Sequence, residues 1–293
     1  MKTLSDYATE FFKSKKLINL VNESLITYKS HLNCFVPWCE ERGLQEPKIT
    51  QELIDEYVIY MVDKKLSAKT INNRLKTINQ FIDFMRKKGV KIKSSIKANM
   101  VKKTESVKKT LKTSEMKRII DNLDITNRDS VLVVFLLSTG VRSKTVRLIK
   151  FGDIDFDNSI LELQHMKNRK FNNIPLPSVL VDILKAYAAH FNLKKDDYLF
   201  FNNYRNQLTR STIYERIRRY LETIGVEQHG VHIFRHSFAK VEVLNGIDSV
   251  SLQRLMTHQS IEESSRYVDL YSPELLKKQN QFNILTNQTY QNY

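Results

Sequence analysis

Hydrophobic residues recur every three to four positions in four blocks of the first 85 residues. The blocks lie at 4–12, 25–38, 53–61 and 71–85. Residues with this spacing share one face of an α-helix, so each block predicts an amphipathic helix that buries its apolar side. The pattern therefore predicts a small helical domain at 1–85.

The block at 71–85 is the most regular of the four. Its apolar stripe consists of Ile71, Leu75, Ile78, Phe81 and Ile82. The other faces carry polar and basic side chains, namely Lys69, Asn72, Asn73, Arg74, Lys76 and Asn79. Such a face is commonly solvated, and it also suits the backbone of a nucleic acid. Lys69, Arg74 and Lys76 are therefore candidates for DNA contact.

A second pattern begins near residue 113, where Thr113-Ser114-Glu115 is typical of a helix start with an acid in its first turn. A Val- and Leu-rich stretch at 130–139 predicts a buried helix that ends at Gly140. Stretches at 159–164 and 173–176 flank a polar turn and predict a β-hairpin. Further helices are predicted at 178–190, 212–221, 232–244 and 250–256. The predicted fold class is mainly α with a small antiparallel β-sheet, in which a helical N-terminal domain precedes a mixed α/β domain.

Residues 86–112, between the two domains, contain eleven Lys and Arg residues and one acidic residue, Glu105. This local charge of +10 is about two-thirds of the net +15 of the chain. Because apolar residues are few, we predict a basic interdomain linker that adds nothing to a core and is mobile without DNA. Lys91 and Lys93 are candidates for phosphate contacts, which would make binding strongly salt-dependent. A merely soluble tether is the alternative.

The charge of the whole chain indicates an anionic partner. A net charge of +15 and a pI near 9.6 favour nucleic acid first and a membrane surface second. No stretch approaches the roughly 20 apolar residues of a spanning helix, and residues 1–16 lack the features of a signal peptide. We expect a cytoplasmic protein without membrane contact. Cys34 and Cys39 are expected to be buried free thiols.

Five short motifs follow one another in the second domain. Residues 139–142 read Thr-Gly-Val-Arg and are followed by Phe-Gly-Asp-Ile-Asp at 151–155. The hairpin segment ends in Ile174-Pro175-Leu176. The last three motifs are His-Ile-Phe-Arg-His at 232–236, Leu-Met-Thr-His at 255–258, and Tyr267 nine residues later. Each residue alone has an ordinary explanation as a surface or packed side chain, so the weight lies in the order of all five.

This order resembles the tyrosine recombinase and phage integrase family, whose segments read T-G-L-R, W-x-D-I-D, V-P-L, H-x-L-R-H and L-G-H before a tyrosine. The resemblance covers 139–267 by residue and the N-terminal domain only by type. It implies a SAM-like core-binding domain at 1–85, a linker at 86–112 and a catalytic domain at 113–293. It also implies an enzyme that cuts DNA through a tyrosine.

The catalytic residues implied by the resemblance are Arg142, Lys167, His232, Arg235, His258 and Tyr267. Planar guanidinium groups suit the two non-bridging oxygens of a phosphodiester, which accumulate charge during attack. A tyrosine with a pKa of about 10 needs a base, and His232 is our candidate. Lys167, with Lys170 as a substitute, would protonate the leaving 5′ oxygen. His258 would donate to a phosphate oxygen, while His236 would support the site.

A metal site was the competing interpretation of His232 and His236, which are four residues apart. A glutamate after the first histidine is missing, and Arg235 between them would repel a cation. We expect neither a metal nor another cofactor.

Two positions depart from the family pattern. Thr145 stands where the family has an acid that helps to orient the site, which questions that supporting acid and not Arg142 itself. Thr257 replaces the glycine that precedes the histidine of L-G-H, which is expected to alter the local turn.

Further expectations concern the partners of the chain. Basic residues on or before the helix at 212–221 are candidates for DNA contact: Arg210, Arg216, Arg218 and Arg219. The resemblance implies double-stranded recombination sites and a homotetramer on DNA, and it allows accessory DNA-bending proteins. The apolar residues of the C-terminal tail would dock on a neighbouring protomer or pack on their own domain: Leu275, Leu276, Phe282, Ile284 and Leu285.

Site-specific recombination through a 3′-phosphotyrosyl intermediate, leading to integration, excision or resolution, is the function predicted from these features. Relaxation of DNA by a type IB topoisomerase is one alternative, since it uses the same chemistry. A DNA-binding protein that has lost catalysis is the other, and Thr145 is the residue that suggests it. The helical block begins close to Met1 and leaves no room for a separate arm-binding domain, which favours a compact recombinase of the Xer or mobile-element kind.

Overall fold

A computed structural model describes residues 2–17, 22–44, 48–102, 109–163, 172–228, 230–258 and 260–271. The chain divides into two compact units, Met1–Ser106 and Val107–Tyr293. Both are mainly helical, and the second contains a small antiparallel sheet. The predicted fold class is confirmed. Among the described residues, no helix is both long and apolar enough to cross a membrane.

The first unit contains four helices, α1 to α4. They are Leu4–Leu17, Asn22–Glu40, Gln51–Asp63 and Ala68–Lys87. Thr50 and Ser67 cap α3 and α4, since each side chain accepts a hydrogen bond from a backbone N–H three residues on. The predicted apolar stripe of α4 is fully buried and packs with Phe11, Phe35 and Tyr57. Cys39 is buried as expected, whereas Cys34 is partly exposed.

The segment 88–102 follows α4 within the first unit and forms neither a helix nor a strand. Ile92, Ile96 and Ala98 are buried in the core of that unit, while the intervening lysines are exposed. The expectation that 86–112 adds nothing to a core is therefore wrong for this part. Apolar residues that alternate with lysines are few but sufficient to bury one side of this segment. The outer limits of the linker stay a prediction.

Side-chain amides hold this segment to α4. Asn72 donates to the carbonyl oxygen of Val101 over 2.8 Å and accepts from its N–H over 2.7 Å. Asn79 forms the same pair with Ala98, at 2.9 and 2.7 Å. Arg86 donates to the carbonyl oxygens of Lys93 and Ile96. These bonds satisfy backbone groups that lack a strand partner and attach 88–102 to α4. The mobility of the linker without DNA stays a prediction.

The second unit is built around α6, Arg128–Thr139, whose side chains are buried on nearly every face. Helices α5 (Thr113–Asp121), α8 (Ser178–Phe191), α9 (Arg210–Thr223) and α10 (Val231–Leu244) pack around it. The short α7 spans Ser143–Val146. Helices α11, Ser249–Met256, and α12, Ile261–Tyr271, follow and pack on α10. Helix α12 was not predicted.

Three antiparallel strands form the sheet in the order β1-β2-β3. They are Ile154–Asp155, Ile160–Leu163 and Asn172–Pro175. Leu161 is paired with Ile174, and both are buried. The predicted hairpin is confirmed, and the two-residue strand β1 adds to it.

Candidate active site

The end of α6 positions the first predicted arginine. Gly140 has φ +59°, in the left-handed region that glycine enters without strain. A Cβ here would also lie 2.5 Å from Cδ1 of Phe238 on α10. Glycine is therefore required for both the turn and the close approach to α10. The turn brings Arg142 to the start of α7.

Two arginines bind the carboxyl end of α11. Arg142 Nη1 donates to the carbonyl oxygen of Thr257 over 2.8 Å and to its hydroxyl over 3.0 Å. Arg235, on α10, donates to the carbonyl oxygens of Met256 over 2.6 Å and Gly140 over 2.7 Å. The last carbonyls of a helix lack intrahelical donors and carry partial negative charge, which suits a guanidinium. Both arginines are thus bound to the carboxyl end of the same helix, α11.

The charges of these arginines are close enough to repel each other. Only 6% of Arg235 is exposed. Burial, aided by the charge of Arg142, lowers the pKa of Arg235 to about 10. The group stays protonated at neutral pH, so two positive charges persist side by side. Within the described residues, no carboxylate forms a salt bridge with either arginine, and an anion would relieve the repulsion.

Tyr267 lies on α12 and is 3% exposed. Its hydroxyl is 2.5 Å from Nδ1 of His236, and its ring stacks on His258 with an interplanar angle of 7°. Burial raises the pKa of Tyr267 to about 12, while the charge of Arg235 acts in the opposite direction. Proton removal in this arrangement needs a base or a change in the surroundings of the hydroxyl.

His258 follows α11 and is held by α12. Its Nδ1 lies 2.7 Å from the hydroxyl of Ser264, and its Nε2 lies 3.6 Å from a carboxylate oxygen of Glu263. Ser264 is fully buried, whereas Glu263 is half-exposed. Neither residue was predicted. Their position in the sequence could have indicated them, since Ser264 precedes Tyr267 by three residues and therefore lies on the same face of the helix.

The two histidines of α10 occupy different places. His232 is exposed in the first turn, and His236 is one turn further along, in contact with Tyr267. The sequence assigned proton transfer to His232 and support to His236. The structure thus brings together Arg142, Arg235, His236, His258 and Tyr267. Lys167, Lys170 and the apolar tail residues beyond 271 lie outside the described residues.

The predicted DNA-contact residues fall into two groups. Exposed members are Lys69, Lys76, Lys91, Lys93, Arg210 and Arg219, while Arg74 is partly buried. Arg216 instead forms an ion pair with Asp129 at 2.5 Å and donates to the carbonyl oxygen of Phe201. Arg218 is paired with Glu215 and Glu222 on its own helix. These two arginines face acids that the sequence pattern does not show, and their assignment as DNA contacts stays a prediction.

Comparisons with known proteins agree along most of the chain. The model of the phage integrase family matches residues 109–273, and that of the phage integrase N-terminal SAM-like domain matches 15–89. A tyrosine recombinase XerD from Bifidobacterium longum is 25% identical over 88% of this chain and 89% of that protein. A XerD from Staphylococcus haemolyticus is 24% identical over 96% of this chain and 99% of that protein.

Solved structures share the fold. The Tn1549 transposon integrase in complex with transposon right end DNA has a TM-score of 0.75 at 15% identity, covering 95% of this chain and 98% of that one. XerH bound to its palindromic difH substrate has a TM-score of 0.72 at 20% identity, covering 91% and 82%. The family match spans more than half of the sequence, including the whole arginine, histidine and tyrosine cluster. The chain belongs to the phage integrase family.

Proposed function

We propose that this chain is a site-specific DNA recombinase that cuts and rejoins double-stranded DNA through a 3′-phosphotyrosyl intermediate. The observation that carries the proposal is the juxtaposition of the Tyr267 hydroxyl with His236 beside the two unneutralised arginines. Attack on a phosphodiester requires a nucleophile, a base that accepts its proton, and positive groups that bind the non-bridging oxygens. The relatives named above are tyrosine recombinases, and two matched structures contain DNA.

Cleavage proceeds by attack of the Tyr267 oxygen on phosphorus. The bond between phosphorus and the 5′ oxygen breaks, and the tyrosine proton passes to a base while the leaving oxygen gains a proton. Arg142 and Arg235 hold the two non-bridging oxygens and supply the positive charge that metals supply in other nucleases. The chemistry therefore needs no metal. The phosphodiester becomes a phosphotyrosine bond that a second strand reopens, so no ATP is needed.

Proton transfer in this mechanism has two candidates for the base. The resemblance assigns it to His232, whereas the contact with Tyr267 favours His236. Single-turnover rates of His232→Gln and His236→Gln across pH distinguish them, since only loss of the base removes the ascending limb of the pH profile. Lys167 is proposed as the acid for the 5′ oxygen, and His258 as a donor to a phosphate oxygen.

Binding to DNA involves both units. Exposed basic side chains on α4, the segment 88–102 and α9 are proposed to contact phosphates, and removing each should reduce the salt dependence of binding. A homotetramer on two recombination sites, assembled through the C-terminal tail, is the proposed active form. Accessory DNA-bending proteins and a cytoplasmic location belong to the same proposal.

The test is covalent capture on DNA. A duplex library with a randomised centre and a nick is incubated with the full chain in EDTA without ATP, and protein-linked DNA is recovered under denaturing conditions and sequenced. A nick lets the cut fragment diffuse away, so the adduct accumulates. We expect adducts on an enriched sequence. Tyr267→Phe is expected to form none while still binding DNA.

Other outcomes of the same experiment contradict the proposal. Adducts without sequence enrichment, together with relaxation of any supercoiled plasmid, would indicate a topoisomerase. Binding without adducts would indicate a protein that has lost catalysis. Adducts that survive Tyr267→Phe would remove the nucleophile from this mechanism.

A further inference from the structure

Thr257 has an unusual backbone conformation for its residue type. It ends α11 with φ +51° and ψ +43°, in the left-handed region. A β-branched side chain is disfavoured there, whereas glycine enters this region freely and commonly ends helices in it. The family pattern has glycine at this position, so the chain keeps a strained residue where an unstrained one would serve. Strain retained at a functional site suggests a role for the side chain.

The Thr257 side chain contacts one of the two arginines. Its hydroxyl accepts a hydrogen bond from Arg142 Nη1 at 3.0 Å, and its carbonyl oxygen accepts another from the same nitrogen at 2.8 Å. Glycine would supply only the carbonyl. Both hydrogen bonds therefore involve the same Nη1 nitrogen. Among the described residues no hydrogen bond engages Nε–H or Nη2–H of Arg142, which together form the edge that binds two oxygens of one phosphate.

Thr145, on the short helix that follows Arg142, is the other departure from the family pattern. It occupies the place of the family's orienting acid and cannot accept a charge-assisted bond as a carboxylate does. Within the described part of the chain, no carboxylate forms a salt bridge with Arg142, whose side-chain hydrogen bonds go to Thr257. Thr257 is therefore the side-chain hydrogen-bond partner that the described residues give to Arg142.

We propose that Thr257 is a positioning residue, whose hydroxyl orients the guanidinium of Arg142 for binding a phosphate. The inference rests on the proposed function, since it assumes that Arg142 binds the scissile phosphate. The hydroxyl stops rotation of the guanidinium about its terminal bonds. Threonine at this position strains the local backbone. In return, the guanidinium is held in the orientation that binds the charge developing on the phosphate oxygens.

The test compares three variants of the full chain on the nicked duplex obtained by covalent capture. Thr257→Val keeps the shape and the β-branch but removes the hydroxyl, Thr257→Ser keeps the hydroxyl, and Thr257→Gly removes both hydroxyl and strain. Single-turnover rates of adduct formation, the melting temperature and the Kd for DNA are measured for each. Loss of one hydrogen bond to a charged group is expected to slow Thr257→Val roughly tenfold. Its melting temperature and Kd should stay near those of the wild type.

Two results distinguish positioning from a structural role. Thr257→Ser should recover most of the rate, and Thr257→Gly should be slow although it melts at the same or a higher temperature. A second duplex carries a methylphosphonate, without negative charge, at the scissile position. On this substrate the rate of Thr257→Val should be closer to that of the wild type, and the same holds for Arg142→Ala. A neutral linkage depends less on positive charge at its non-bridging oxygens.

Either of two results would overturn the inference. Thr257→Val and Thr257→Gly that react at the wild-type rate would show that the hydroxyl is dispensable. Equal slowing on both substrates would show that the variant disturbs something other than the positive charge at the non-bridging oxygens. If the wild type itself forms no adduct, the proposed function fails first, and Tyr267→Phe identifies that case.

Discussion

Two pairs of arginines in the second unit are built in opposite ways. Arg128 and Arg216 lie beside Asp129 and a set of carbonyl oxygens, and Arg216 is ion-paired with that acid. Within the described residues, the hydrogen bonds of Arg142 and Arg235 go to carbonyl oxygens and one hydroxyl. Both pairs are partly or fully buried, so burial does not separate a binding site from a structural network. The difference is the carboxylate partner, since the first pair shares Asp129, whereas the second pair forms no salt bridge within the described residues and keeps both positive charges for a ligand.

The largest expected effect is the loss of reaction rate when an arginine of the second pair, Arg142, is replaced. Arg142→Ala should slow adduct formation roughly 100- to 1000-fold, the range for loss of one group that stabilises transition-state charge. Its melting temperature should change little, because lost hydrogen bonds to Thr257 are offset by relief of repulsion with Arg235. Single-turnover assays and thermal unfolding test this together. If Arg142→Ala had a much lower melting temperature but an unchanged rate of adduct formation, this arginine would serve stability and not the reaction.

The pair beside Asp129 should show the opposite behaviour. Asp129→Asn leaves the charges of Arg128 and Arg216 uncompensated and should lower the free energy of unfolding by about 1–2 kcal/mol, given that the ion pair is partly solvated. Urea unfolding measures the change. The rate per folded molecule should equal that of the wild type. A large loss of rate without loss of stability would show that this pair also serves the substrate.

The pH dependence of Tyr267 sharpens the comparison further. Its pKa is raised to about 12, so folding favours the protonated hydroxyl. This contribution to stability is complete below pH 10, the unfolded value, and is lost as pH rises from 10 towards 12. Phenolate absorbance of the wild type and Tyr267→Phe should therefore coincide up to about pH 11, while circular dichroism reports a folded chain. A tyrosine that titrates near pH 10 in the wild type and disappears in the variant would contradict the burial seen here.

The smallest effect is expected at Glu263. Its half-exposed carboxylate lies near His258 and raises the pKa of Arg235, so it weakly opposes an incoming phosphate. Glu263→Gln should tighten DNA binding about twofold, the scale of an exposed charge interaction. Fluorescence anisotropy at low and high salt measures it, and the gain should vanish at high salt. Weaker binding at low salt would mean that the carboxylate supports the site.

The sequence predicted the fold class and most of the cluster because motif order preserves which helices carry which groups. The arginine after Gly140, the arginine of α10 and Tyr267 converge as the resemblance implies. The contact of His236, rather than His232, with Tyr267 was not predictable. Both lie on one side of α10, and only the packing of α12 decides which turn meets the tyrosine.

Charged and amide side chains were the least predictable elements. Three arginines within four residues of α9 look equivalent in the sequence, yet Arg216 faces Asp129 on α6 and Arg219 faces solvent. Asn72 and Asn79 look like parts of a solvated helix face. Their partners are backbone groups 29 and 19 residues away, and no local pattern encodes such pairing.

The paired asparagines of α4 also determine how this protein can be dissected. A fragment cut at residue 85, where the helical pattern ends, would lose the partners of Asn72 and Asn79 and uncover the core beneath Ile92 and Ile96. Trypsin should spare the exposed lysines 91, 93 and 97 in the native chain, because proteolysis needs a backbone free to leave its hydrogen bonds. An N-terminal fragment that folds on its own therefore has to extend past residue 101. A fragment that ends before this residue should be insoluble when it is expressed.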